Sequence, residues 1–215
     1  MAKQFSWLVI SSLLAAASTL VSAQSAFVEG EQYAPVDKQQ SVEADGKIEV
    51  VEVFWYGCPH CFDFEPHLTA WLAQLPDDVS FRRVPAVFRR SWVPHARAYY
   101  AAEMLGVLDK FHKPLFDAIH REGRPLHDEE ALVAFAAEQG IDEKAFREAY
   151  DSFGVDALVR KAALLSREYG IPGVPSIVVN GKYFSSGGMA GSYPELLKVV
   201  EFLVDKERVS LVRAQ

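Results

Sequence analysis

Cys58 and Cys61 stand three residues apart with Pro59 and His60 between them, and they are the two cysteines of a 215-residue chain. A disulfide across so short a loop adds only about 2 kcal/mol by chain entropy, before any strain. A structural staple is therefore the weak reading of this pair, and a redox-active dithiol the strong one. In such chemistry the thiolate is the nucleophile, and a low thiol pKa also makes a good leaving group. Metal binding is the competing chemistry. Cys58, His60 and Cys61, with His67 beyond them, have ligating atoms, but tetrahedral sites usually draw on two separated ligand pairs and the second pair is missing. Phe62 follows the motif where a haem-attachment signature requires histidine.

The elements around the pair sharpen this chemistry. Ile48 to Tyr56 reads IEVVEVFWY, a nearly unbroken apolar run rich in β-branched and aromatic residues, as in a central strand covered on both faces. Gly57 ends it, and Pro59 suits the first turn of a helix, where its missing N–H costs nothing. Phe62, Phe64, Leu68, Trp71, Leu72 and Leu75 continue at helical spacing to Pro76, with Pro66 expected to kink the helix. Cys58 thus falls among the unpaired amides and positive dipole end of a helix, which favour a thiolate. Protonated His60 adds positive charge nearby. Cys61 lies one turn in, is expected to be more buried, and is read as the resolving thiol. A Cys58 pKa of roughly 4, within the helix-terminal range, would leave about 4 kcal/mol of thiolate stabilisation at pH 7. That exceeds the loop-closure contribution, so the reduced protein is expected to be the more stable form at neutral pH.

Val79 to Val84 reads as a second strand, completing a β–α–β unit. From Val93 to about Tyr169 helical periodicity takes over, with helices expected at 94–107, 109–121, 128–139, 142–151 and 155–169. Asp128 and Asp142 look like helix starts, and Gly123, Gly140 and Gly154 like punctuation. Tyr99, Tyr100, Phe111 and Phe116 read as core. Strands return at Ser176–Val179 and Lys182–Ser185 around Asn180-Gly181, a strong hairpin signal. Gly187-Gly188 breaks the chain again. Ser192 and Glu195 form a capping box before an amphipathic closing helix. A short strand is expected near Tyr33 to Val36. The histidines at 67, 95, 112, 120 and 127 form no ligand or acid–base pattern and are read as ordinary.

Composition excludes other classes. A net charge of −7 argues against nucleic-acid binding, and 50% hydrophobic residues argue against general disorder. Phe5 to Val21 is an uncharged apolar run after Lys3, and Val21-Ser22-Ala23 matches the small-residue pattern of a signal peptidase site. Residues 1–23 are therefore expected to be a signal peptide, and no later stretch is long and apolar enough to span a membrane.

FWYGCPHC after a β-strand, with VPSIVVNGKY far downstream and helices between, resembles the periplasmic thiol–disulfide interchange proteins of the DsbA type. The resemblance covers essentially the whole mature chain. It implies an α/β thioredoxin-like fold at residues 24–91 and 170–215, with an inserted helical domain at 92–169. It also implies an oxidant that donates the Cys58–Cys61 disulfide to exported proteins with free thiols, through a mixed disulfide on Cys58. Such a protein works in the periplasm as a monomer, needs no metal or organic cofactor, binds no nucleic acid, and is reoxidised by a quinone-linked membrane oxidase. Cys58, Cys61, His60, Pro59 and Glu52 are the implied catalytic set. Glu52 matches a buried acid that relays a proton for Cys61, with Arg82 or Arg83 as its basic partner. Glu65 matches a second family acid, for which a surface role and a tuning role stay open. Val174 and Pro175 are the implied substrate-binding residues, with Pro175 cis and Val174 offering its backbone to an extended client. A reductase or isomerase of the same fold is the enzymatic alternative, and a metal-binding or thiol-dependent holdase module the non-enzymatic one.

Overall fold

The computed structural model describes residues 27–42 and 46–213. The expected signal peptide at 1–23 lies outside the described residues. β1 (Ala34–Pro35) is followed by β2 (Ile48–Phe54), α1 (Pro59–Leu72) and β3 (Val79–Pro85). A 3₁₀ turn (Arg90–Trp92) leads into α2 (Val93–Met104), α3 (Leu108–His120), α4 (Glu129–Glu138), α5 (Glu143–Tyr150) and α6 (Phe153–Glu168). The chain then returns to strands β4 (Ser176–Val179) and β5 (Tyr183–Ser186), and ends in the short helix α7 (Gly187–Ala190) and the long α8 (Tyr193–Arg213).

The five strands form one sheet in the order β1-β5-β4-β2-β3. β2 runs parallel to β3 and antiparallel to β4. All seven residues of β2 are buried, as its apolar run requires of a central strand. Alternation along β2 divides the core. Ile48 and Val50 join Phe64 and Leu68 of α1, Ile177 and Val179 of β4, and Leu196, Val199, Val200 and Leu203 of α8. Val51 and Val53 face the other way, into a cluster built mainly from α2 to α6 with Phe111, Phe116, Phe135 and Phe146. The second cluster is continuous with the sheet, so the helices between β3 and β4 are packed directly behind the strand that carries the cysteine motif.

Local rules explain most boundaries. Asp128 Oδ1 accepts from the Ala131 amide at 3.0 Å and Asp142 Oδ1 from the Ala145 amide at 2.7 Å, capping α4 and α5. Ser192 Oγ accepts from the Glu195 amide at 3.3 Å at the start of α8. Two glycine readings differ. Gly154 lies inside the first turn of α6, because Ser152 caps that helix ahead of it. Gly187-Gly188 form a helical turn rather than a break: Ser186 caps it and Gly191, at φ 88°, closes it.

The β4–β5 hairpin supports the segment that faces the cysteines. Asn180 and Gly181 both adopt positive φ, 52° and 62°, as the central positions of the turn that Lys182 closes by donating its amide to the Val179 carbonyl at 3.0 Å. A side chain at 181 would also bring its Cβ to 2.5 Å from the Gln40 carbonyl oxygen. Gly181→Ala is expected to cost more than about 1 kcal/mol, seen as a lower urea midpoint with an unchanged denaturant slope.

Candidate active site

Buried β2 stops at Phe54, and Trp55, Tyr56 and Gly57 carry the chain into α1. Cys58 is the N-cap of that helix and Pro59 lies in its first turn. Gly57 is required sterically: a Cβ there would lie 2.4 Å from the Trp55 ring. That ring is in turn stacked on Trp92 at 4.2 Å with planes 5° apart. The aromatic pair, partly buried, forms a wall on the helical side of the motif.

The two thiols are free and differ in environment. Cys58 retains 8% of its surface and Cys61 none. Cys58 is therefore less open than a helix start on the surface would be, because Val174 covers it: the Cys58 thiol donates to the Val174 carbonyl oxygen at 3.4 Å. A hydrogen bond from Cys61, the Cys61 and His60 amides and the charge of His60 outweigh burial and lower the Cys58 pKa from 9.0 to about 6. Burial pushes the Cys61 thiol the other way, well above its ordinary range, reinforced by Cys58. His60 itself is exposed.

Opposite the motif, the Val174–Pro175 peptide is cis. Pro175 is buried and Val174 half-buried. They border a cavity of about 630 Å³ that also takes in His60, Gly173, Gly188 and Tyr193. This groove reaches the cysteine motif from the sheet side, while Trp55 and Trp92 flank it from the helical side.

Beneath the motif lies a buried charge cluster. The β2–β3 register sets Glu52 beside Arg83. Arg83 Nε donates to Glu52 Oε2 at 2.8 Å, and its Nη2 donates to both Glu65 oxygens at 3.3 Å. Arg83 is thus the partner of Glu52; neighbouring Arg82 instead holds the buried Glu49 at 2.8 and 3.2 Å. Glu65 is not a surface charge, being 14% exposed and bonded to His112 Nε2 at 3.2 Å. His112 Nδ1 accepts from the Tyr56 hydroxyl at 2.8 Å, a tautomer assigned from its partners. One guanidinium therefore serves two carboxylates. Burial raises the Glu52 pKa to about 8 against the pull of Arg83, and Glu52 Oε1 has no hydrogen-bond partner. At Glu65 His112 and Arg83 overcome the burial penalty and hold the carboxyl below its usual range. The cluster keeps a proton on Glu52 and a charge on Glu65.

Sequence reading passed over three of these residues. His112 lies on the buried face of α3 with Phe111, Leu115 and Phe116, a spacing that was the available sign of its burial. His120 Nε2 donates to the Tyr56 carbonyl at 2.7 Å, so α3 grips Tyr56 at both its side chain and its backbone. Tyr193 donates to the His60 carbonyl at 3.0 Å. No pattern linked it to the motif across 133 residues. His95 is a core residue: it donates to the Leu126 carbonyl, and burial lowers its pKa to about 4. Among the described residues no group of three or more His, Cys, Asp or Glu side chains is placed to hold a metal. None of the described helices is long and apolar enough to cross a membrane.

Residues 49–194 match the DSBA-like thioredoxin domain family. The chain is 48% identical over 179 residues to the thiol:disulfide interchange protein DsbA of Azotobacter vinelandii, covering 83% of this chain and 84% of that one. It is 40% identical over 211 residues to the protein of that name from Pseudomonas syringae pv. tomato, covering 97% and 99%. Among solved structures, Pseudomonas aeruginosa DsbA superposes with a TM-score of 0.82 at 40% identity, covering 86% of this chain and 96% of that one. The oxidoreductase DsbA from Xylella fastidiosa gives 0.79 at 36%, covering 85% and 98%.

The Cys58 value narrows the expected stability gap between the redox forms. A thiol lowered from 9.0 to about 6 contributes about 1.4 kcal/mol at pH 7, less than the ~2 kcal/mol of loop closure. Since the folded value is the lower one, the contribution is complete above pH 9 and is lost as pH falls through 6. Glu52 has the opposite sign: its raised pKa removes stability as pH rises from 4.5 toward 8, and it is present in both redox forms. Denaturant unfolding of the two forms at matched pH should therefore report the two thiols together, Cys58 gaining stability for the reduced form as pH rises and Cys61, whose pKa is raised, losing some toward pH 9. The reduced form is expected to be less stable by roughly 1.5 kcal/mol near pH 6, to cross between about pH 7 and 8, and to lead by roughly 1 kcal/mol at pH 9, where the raised Cys61 thiol subtracts from the Cys58 contribution. A stability difference independent of pH over this range would contradict the Cys58 assignment. Arg83→Met, which leaves Glu65 with His112 alone and removes the one hydrogen-bond donor of buried Glu52, is expected to cost about 3 kcal/mol in the same assay.

Proposed function

The chain belongs to the family of DSBA-like thioredoxin domains, and from that premise we propose which of its residues perform the disulfide exchange and how. It is a protein thiol–disulfide oxidoreductase that donates a disulfide to proteins with free thiols. The pair carrying that disulfide is Cys58–Cys61. The observation that carries the reading is the opposed tuning of two thiols one helical turn apart, one lowered to about 6 and the other raised.

In the first step a client thiolate attacks Cys58 Sγ of the disulfide. The client S–Sγ58 bond forms, the S–S bond breaks, and Cys61 leaves. A buried Cys61 thiolate is costly, so it takes up a proton, and Glu52, holding one at neutral pH, is the donor we assign. In the second step another client thiolate attacks its partner sulfur in the mixed disulfide and expels Cys58. Amides at the start of α1 and His60 stabilise that leaving thiolate. The client is oxidised by two electrons and the protein reduced to the dithiol. Pro59 starts the helix without an orphan amide at its first position. The Val174 carbonyl and the groove beside Pro175 receive the client backbone in extended form.

We further propose that the protein acts in the periplasm as a monomer, after removal of residues 1–23, and that a quinone-linked membrane oxidase restores its disulfide. Residues 92–169 form a helical insertion in a thioredoxin-like framework made of 24–91 and 170–215. Its continuous packing with β2 supports a role in holding the motif rather than in a separate activity.

Trapping tests the assignment. Cys61→Ala, which cannot resolve the intermediate, is expected to accumulate client mixed disulfides on non-reducing gels, and Cys58→Ala to accumulate none. Brief alkylation of the reduced wild type at pH 7 should label Cys58 at least about tenfold faster than Cys61, read by peptide mass mapping. Equal labelling, or complexes on Cys61 instead, would sink both cysteine roles.

A further inference from the structure

β2 and β3 run parallel and end level with each other, Phe54 opposite Pro85. The Ala86 amide donates to the Phe54 carbonyl at 2.7 Å, so the chains leaving the two strands start side by side at one edge of the sheet. One leads to the cysteines, the other through residues 86–92 to the 3₁₀ turn. In open α/β sheets ligands are met outside the carboxyl ends of the parallel strands. Aromatic rings keep the second segment in contact with the first. The Trp55 ring lies against Gly57, Trp92 is stacked on Trp55 at 4.2 Å, and Phe88 packs on Trp92 at 5.6 Å. The rings of Trp55 and Phe88 are therefore at most about 10 Å apart, the span of roughly three extended residues.

The outer end of this row of rings is exposed and basic. Phe88 keeps 37% of its surface, and Arg89 and Arg90 beside it are exposed. The Trp92 amide donates to the Arg89 carbonyl at 3.0 Å, which ties the backbone of the arginine pair to the stacked tryptophan. Among the described residues neither guanidinium forms an ion pair. Arg83, Arg124, Arg147 and Arg208, by contrast, each hold a carboxylate, and the chain has 29 acidic residues against 22 basic ones. Two unpaired guanidiniums beside an exposed ring are complementary to a segment that carries carboxylates. The planar fork takes a carboxylate in bidentate fashion, and the ring covers the apolar stem that bears it.

We propose that Phe88, Arg89 and Arg90 form a second client contact, on the helical side of the motif, which selects proteins that carry acidic residues within a few positions of the cysteine to be oxidised. This deepens the reading of Cys58 as the sulfur that accepts the client, and rests on it. A client joined to Cys58 runs on one side along the groove at Pro175 and on the other across Trp55 and Trp92 to the arginines. No bond forms or breaks at this contact. It raises the rate at which acidic clients reach the disulfide, against the repulsion of a chain whose net charge is −7. Because both arginines are exposed, the attraction is screened by salt.

The test follows oxidation of three synthetic dithiol peptides by the full-length mature protein in its disulfide form. The peptides differ only in having glutamate, glutamine or lysine at the positions flanking each cysteine. Rates are read by acid quenching and chromatography. Ratios between peptides are compared from protein to protein, which cancels differences in the peptides' own thiol pKa. Arg89→Gln together with Arg90→Gln is expected to lower the glutamate-to-glutamine rate ratio about fivefold in dilute buffer, and by less than about twofold at 1 M salt. Arg89→Glu together with Arg90→Glu is expected to turn the preference toward the lysine peptide. A ratio that neither pair of substitutions moves overturns the proposal, as does a loss in the glutamine pair that persists at 1 M salt. Loss of binding to phosphatidylglycerol vesicles in the glutamine pair, with the peptide ratio unchanged, also overturns it and assigns the arginines to a membrane surface. A wild type that oxidises none of the peptides overturns the disulfide-donor reading and the contact with it.

Discussion

Arg83 is the charge on which the active-site region depends. It reaches Glu52 on β2 and Glu65 on α1, and Glu65 in turn holds His112 on α3. Strand, redox helix and helical block thus meet at one guanidinium. A planar fork with several donors can satisfy two carboxylates at once, which a lysine ammonium would do with less directional control. Full ionisation of both acids beside a single cation in a buried site would be unfavourable. The cluster resolves this by leaving the proton on the more buried Glu52. The chemical consequence is a neutral acid whose charge, if it ionised, would act on the buried Cys61 thiol.

The two cysteines illustrate how small differences in position become large differences in chemistry. Three residues of helix take Cys58 from the ring of first-turn amides to the fully enclosed site of Cys61. A hydrogen bond from Cys61 and the first-turn amides favour one thiolate, and desolvation opposes the other. With the Cys58 pKa near 6, the thiolate and loop-closure contributions nearly cancel at pH 7. The balance between redox forms is therefore sensitive to weak interactions in the first turn of α1.

The helical block has a mechanical part in the same scheme. α3 grips Tyr56 through His112 at the phenol and His120 at the carbonyl. Trp92, just before α2, stacks on Trp55. The three residues between β2 and Cys58 are thus held by α3 and Trp92, from the helices between β3 and β4, which restrains the geometry of the N-cap. Buried aromatic area supplies much of that restraint, with ring pairs such as Phe54–Tyr56 at 5.1 Å and Tyr56–Phe116 at 4.9 Å.

Some of this was legible in the amino-acid order because it is local. Alternating and continuous apolar runs identify β2 and α8, Asn180-Gly181 identifies a turn that needs positive φ, and Pro59 after Cys58 identifies the first turn of a helix with its unpaired amides. These are short-range rules of sterics, hydrogen bonding and periodicity. What tertiary structure decided depends on contacts between residues far apart in the chain. Arg83 rather than Arg82 meets Glu52 because β-strand register sends neighbouring side chains to opposite faces. Glu65 and His112 lose their solvent only when α1 and α3 pack together, and Tyr193 reaches His60 only when α8 closes the groove. The Cys58 pKa also depends on tertiary placement: burial adds a desolvation cost that no helix-terminal rule contains, opposing the donors that lower the thiol to about 6.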